Sequence, residues 1–134
     1  MAAGNMNAAQ AGEELARSFL QANGYGIVDT NWRYRQLELD IVCFQQDTYV
    51  FVEVKTKTDI QFGYASEALT IQKQKKMLKA VSSYLSKNKL WAKPCRLDLV
   101  AVLISQSRCE IIHEQNVVEF SEVMGGGGSY WQPW

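Results

Sequence analysis

Along the chain, apolar residues recur first at helical spacing and then at alternate positions. Residues 8–23, AAQAGEELARSFLQAN, place Leu15, Ala16, Phe19, Leu20 and Ala22 on one side of an amphipathic helix. Asn23-Gly24 supplies its stop signal. Three strand-like runs follow, over residues 25–35, 37–44 and 49–57. The short polar turn QQDT between the last two predicts a hairpin. Residues 58–67 read as a loop containing Gly63, and a long helix is expected from about 68 to 88 with Ile71, Met77, Leu78, Val81 and Leu85 inward. After WAKP, RLDLVAVLI reads as a strand and CEIIHE as another. The order α-β-β-β-α-β-β predicts an α/β domain whose mixed sheet is flanked by helices.

The ending GGGGSYWQPW breaks this pattern. Four glycines and a serine form a flexible linker, and an aromatic peptide follows it. Residues 1–124 are therefore expected to be a single domain, and residues 125–134 a tail, natural or engineered, that docks on a partner or a neighbouring chain. With 134 residues, 47% of them apolar and 21% charged, the composition is that of an ordinary globular domain. No apolar run reaches the roughly 20 residues that cross a bilayer, and the first residues lack the pattern of a signal peptide. A cytoplasmic protein without membrane contact is expected. Cys43, Cys95 and Cys109 show no C-x-x-C spacing and read as buried, reduced thiols, and His113 has no partner pattern around it.

The net charge is zero, but its distribution is uneven. All nine lysines lie between Lys55 and Lys93 against only two acids, a net +7, while the segments before and after carry −4 and −3. A basic face on a neutral protein follows, suited to nucleic acid.

Four charges interrupt the two strands of the hairpin, in LELDIV and FVEVKTK. Alternation puts Glu38 and Asp40 on one face, and Glu53 and Lys55 on one face with Phe51 and Lys57, leaving Val50, Val52 and Val54 on the other. Folding about QQDT sets Asp40 opposite Glu53 and Glu38 opposite Lys55. Like charges so close are destabilising unless a proton or cation lies between them. Magnesium or manganese suits oxygen ligands of this kind. A third carboxylate is Glu13, about 20° from Leu20 around the first helix and on the rim of its apolar stripe, whereas Glu14 points away with Arg17. As a first-turn residue, Glu13 would alternatively serve only the helix dipole.

The pieces AGEELARSFLQANGY, LELDIV, FVEVKTK, IQKQKKMLKAVSSYL and CRLDLVAV stand in the order of a known pattern. Over about residues 11–104 the chain resembles the YraN family of uncharacterised bacterial proteins, similar to Holliday-junction resolvases and other PD-(D/E)xK nucleases. The resemblance implies a restriction-endonuclease-like core, a divalent cation (magnesium or manganese), a nucleic-acid substrate, DNA first, and a homodimer. It points to Asp40, Glu53, Lys55 and Glu13 as catalytic residues, with Asp40, Glu53 and Glu13 as metal ligands and Glu38 in support. Lys73 matches a family lysine of the second helix, and Arg96 and Asp98 match a later R-x-D strand. Leu37 stands where the family usually has glycine. Lys57, Lys73 and Lys76 are the expected phosphate contacts, Lys73 and Lys76 being neighbours on the helix surface. The leading expectation is a metal-dependent nuclease, structure-selective in the manner of a resolvase. The alternative is a nucleic-acid-binding module with the nuclease fold and little or no catalysis.

Overall fold

The computed structural model describes residues 6–58, 69–106 and 108–118. The elements are α1 (Ala8–Ala22), β1 (Gly26–Tyr34), β2 (Leu37–Gln45), β3 (Thr48–Lys57), α2 (Ile71–Lys87), β4 (Cys95–Ile104) and β5 (Cys109–Glu114). This is the expected order, with no boundary moved by more than three residues. The expected loop beyond Thr58 and the aromatic tail lie outside the described residues.

The five strands form one mixed sheet in the order β1-β2-β3-β4-β5. Only the central pair, β3 and β4, is parallel; the other neighbours run antiparallel. A parallel pair needs a crossover, and α2 supplies it. Helix α2 covers one face, where Leu78, Val81, Tyr84 and Leu85 pack with Val42, Phe51 and Leu97. Helix α1 covers the other, where Ala16 and Leu20 meet Ile41, Val50, Val52, Val100 and Val102. Phe51 thus faces α2 while Val50 and Val52 face α1, as alternation along β3 requires.

Three inward residues were misplaced by periodicity. The buried line of α1 is Gly12, Ala16 and Leu20, spaced four apart, which leaves Leu15 38% exposed and Ala22 outside. Ile71 is 56% exposed because it is the first residue of α2.

Both helices start on side-chain caps. Asn7 and Gln10 satisfy each other's backbone N–H groups ahead of α1, and the Thr70 hydroxyl accepts from Lys73 N–H at α2. Because α1 begins at Ala8, its first turn holds no acid. Glu13 is therefore not a first-turn dipole partner. Gly12, just before it, is where α1 touches the sheet: a Cβ there would lie 1.8 Å from Thr56 Oγ1. The missing side chain lets the helix settle on β3 and carries Glu13 toward the strands.

The β2–β3 turn is two residues, Gln46 and Asp47, both with positive φ, the geometry that matches the twist of a hairpin. Its register pairs Gln45 with Thr48 and runs to Ile41 with Val52. There the ladder stops. Beyond Ile41, β2 stays with β1 and leaves β3, opening a fork between β2 and β3.

Candidate functional site

Asp40 stands in that fork. It is the next residue after the last ladder pair, and its carboxylate replaces the missing strand partner by accepting the Val54 N–H at 2.9 Å. Glu53 is the next residue on the opposing strand, so the expected juxtaposition of Asp40 and Glu53 is present, made by side chains instead of a continued ladder. Burial raises the Asp40 carboxyl above its ordinary value, the Val54 N–H holds it down in part, and the charge of Glu38 raises it further. Burial and then the Asp40 charge push Glu53 up to about 7, against the pull of Lys55 and Lys73. Two half-buried acids with raised affinity for protons share one short stretch of sheet.

The basic groups come from β3 and α2. Lys55 lies beside both acids, and the side chain of Lys73 from the first turn of α2 is also within its reach. That neighbour, then burial, hold the Lys55 ammonium below its ordinary pKa, while Glu53 and Asp40 oppose the shift. Lys76 joins Lys73, Glu38, Glu53 and Met77 around a cavity of about 160 Å³. Lys57 ends β3, two residues past Lys55.

Glu38 does not pair with Lys55. The β2–β3 ladder has already ended, so Glu38 pairs across β1 with Arg33, and their exposed side chains form an ion pair at 3.6 Å. Glu13 lines a second cavity, about 420 Å³, together with Asn31, Thr30, Arg17 and Asp40. Burial and Asp40 raise its carboxyl, while the Asn31 side-chain amide holds it down. Glu14, as expected, turns outward and pairs with Arg17. Among the described residues, no three His, Cys, Asp or Glu side chains converge as metal ligands. Glu13 is thus a neighbour of Asp40 and not a third member of a closed ligand set.

The donor set still suits a hard divalent cation. Magnesium is commonly held by one or two carboxylates, keeping several waters, and Asp40 with Glu53 offers two oxygen donors whose mutual repulsion a cation would relieve.

Arg96 and Asp98, which sequence marked only as a pattern, form a separate buried knot on the α1 face. The Asp98 carboxylate accepts from Arg96 Nε at 3.0 Å and Nη2 at 3.1 Å, and from the Asn116 N–H at 2.9 Å. His113 Nε2 lies 2.8 Å from it. Arg96 and Gln115 both donate to the Tyr25 hydroxyl, and Tyr25 and Phe19 set their rings edge-on to His113. Burial alone would raise Asp98, but the hydrogen bonds from His113, Arg96 and Asn116 outweigh it and hold the carboxyl below its ordinary value. His113 therefore does have a partner, one that lies 15 residues away in sequence and on the neighbouring strand. The thiols also divide: Cys43 is buried, Cys95 half-buried and Cys109 exposed on the edge strand β5, contrary to the expectation of three buried groups.

Residues 12–102 match the family described as uncharacterised protein family UPF0102. A UPF0102 protein of Nitratidesulfovibrio vulgaris is 40% identical over 125 residues, 93% of each chain. One of Lawsonia intracellularis is 37% identical over 93% of this chain and 95% of its own, and one of Clostridioides difficile is 36% identical over 72% and 85%. The crystal structure of SSO0001 aligns with 90% of this chain and 57% of its own, at 14% identity and a TM-score of 0.37. Among the described residues, no helix is long and apolar enough to cross a membrane.

Proposed function

The chain belongs to the uncharacterised protein family UPF0102, and from the geometry of its β2–β3 fork we propose that it is a divalent-metal-dependent nuclease with a PD-(D/E)xK core. The substrate is nucleic acid, DNA first, cut by hydrolysis of a phosphodiester bond. The observation that carries this reading is the Asp40–Glu53 pair: two neighbouring acids, both raised by burial, with Lys55 and Lys73 beside them. A surface hairpin with ordinary ion pairs has no use for such a pair.

Asp40 and Glu53 would hold magnesium or manganese, with Glu13 contributing through water. When bound, the ion would offset the negative charge that builds on the phosphate. Asp40 is fixed for this task by the Val54 N–H, so it needs no rearrangement. Lys55, whose proton is loosened by Lys73 and by burial, is placed to take a proton from the attacking water or to face the charged phosphate. Lys73, Lys76 and Lys57 hold flanking phosphates. Contacts of this kind orient the backbone without reading bases, which favours structure-selective cutting, and a homodimer would serve two related strands.

The test is cleavage of linear and four-way-junction DNA with magnesium or manganese. Asp40→Asn and Glu53→Gln are expected to lower the rate by about a hundredfold or more while retaining DNA binding. Salt-sensitive binding without cleavage by the native chain would support the alternative, a binding module on a nuclease fold.

A further inference from the structure

Asn31 stands in β1 with φ of +51°, a left-handed backbone inside a strand. Its register places it across from Asp40: Thr30 pairs with Ile41 and Trp32 with Leu39, and the step between them is unpaired. The consequence is legible in the packing. On a regular strand Leu39 and Ile41 would share a face, yet Leu39 packs into the α2-side core and Ile41 into the α1-side core. The partner strand does the same, since Trp32 sets its ring edge-on to Tyr84 of α2 while Thr30 lines the cavity with Glu13 on the α1 side. The β1–β2 ribbon turns over at Asn31 and Asp40. This is also the point at which β2 parts from β3 and the Asp40 carboxylate takes the Val54 N–H.

We propose that Asn31 is the positioning residue of the site: its left-handed backbone turns the ribbon over and so delivers Asp40 into the fork, while its amide steadies Glu13 beside it. The residue type fits both tasks. A left-handed backbone is disfavoured for most L-amino acids, and asparagine is among the few that adopt it readily. Its side-chain N–H can donate to the Glu13 carboxylate across the cavity wall. Glycine would keep the backbone and lose the amide; a β-branched residue would lose both, because left-handed φ is a true outlier for it.

This inference rests on the reading of Asp40 and Glu53 as a cation site, and it is tested by two readouts, one of which needs no metal. Hydrogen exchange of the Val54 amide reports whether Asp40 is in the fork. Calorimetric titration with manganese reports on the site. Asn31→Gly is expected to keep Val54 protected and to hold manganese affinity within about threefold, where second-shell losses commonly run from ten- to hundredfold. Asn31→Val is expected to exchange Val54 about tenfold faster and to weaken manganese by about ten- to hundredfold. Asn31→Ala serves in its place if the valine variant does not fold, with the same direction expected. Val54 protection in the valine or alanine variant equal to that of the native chain would overturn the proposal, as would loss of protection in the glycine variant. Failure of the native chain to bind manganese would overturn the cation reading alone, and the exchange result would still decide the role of Asn31.

Discussion

Asp98 and Asp40 stand on interior strands of the same sheet, and burial pushes both carboxyls up. Around Asp98 the chain gathers Arg96, His113 and the Asn116 N–H, and the carboxyl ends below its ordinary value. Around Asp40 the Val54 N–H and the Glu53 side chain hold the carboxyl down only in part, so burial and then the charge of Glu38 leave it above its ordinary value, and Asp40 in turn raises Glu53 and Glu13. A buried charge that is fully hydrogen-bonded belongs to the architecture, tying β4 to β5 and to the start of β1 through Tyr25. Acids crowded together with too few donors leave something for a ligand to complete. On the proposed reading, this difference separates a structural carboxylate, Asp98, from a candidate cation ligand, Asp40.

The sharpest way to break this contrast is to remove each charge. Asp98→Ala leaves Arg96 and His113 without their anion and is expected to lower unfolding free energy by about 3–5 kcal/mol. Asp40→Asn keeps an acceptor for Val54 and is expected to change stability by less than about 1 kcal/mol, or to raise it. Urea denaturation at pH 7 measures both, and similar losses would erase the distinction.

The pH dependence should then differ in sign. Folded Glu53 titrates near 7 and an unperturbed glutamate at 4.5, so between those values the folded chain holds a proton that the unfolded chain has lost. Stability therefore falls as pH rises through that window, by on the order of 1–3 kcal/mol. Glu53→Gln should flatten this fall. Asp98 acts in the opposite sense: its stabilisation is present above the unfolded value of about 3.9 and is lost as pH falls through the lower folded value. Denaturation profiles from acid to pH 8 for the native chain and both variants check the two slopes.

Smaller effects test the supports. Gly12→Ala drives a methyl into Thr56 Oγ1 and is expected to cost about 1–3 kcal/mol, with α1 and Glu13 displaced from the strands. Arg33→Ala breaks the exposed pair with Glu38 and should shift stability by less than about 0.5 kcal/mol.

Much of the site could be read along the chain because its central pair is local. Asp40 and Glu53 lie on two strands joined by a two-residue turn, and alternation with turn length sets their register. The same reasoning failed for Glu38 because nothing in LELDIV says that β2 leaves β3 after Ile41. Asn31 was missed for a related reason: in DTNWRY an asparagine within a strand reads as a polar face, and its left-handed backbone becomes meaningful only opposite Asp40. The Asp98 knot needed tertiary contacts, since His113, Asn116 and Tyr25 come from three places in the sequence. Only the R-x-D spacing hinted at it. Element order and mixed pairing followed from periodicity, but the i, i+4 line of Gly12, Ala16 and Leu20 did not, because glycine carries no hydrophobic signal.

On the proposed reading, the Asp40–Glu53 fork takes a cation and the Asp98 knot does not. Thermal unfolding at pH 8 with and without manganese decides between the two. A ligand at a hundred times its dissociation constant stabilises by about 2.7 kcal/mol. A rise in unfolding temperature of about 10 °C is expected for the native chain and for Arg33→Ala, and none for Asp40→Asn or Glu53→Gln. An equal rise in all four proteins, or none in the native chain, would rule out a cation held by Asp40 and Glu53.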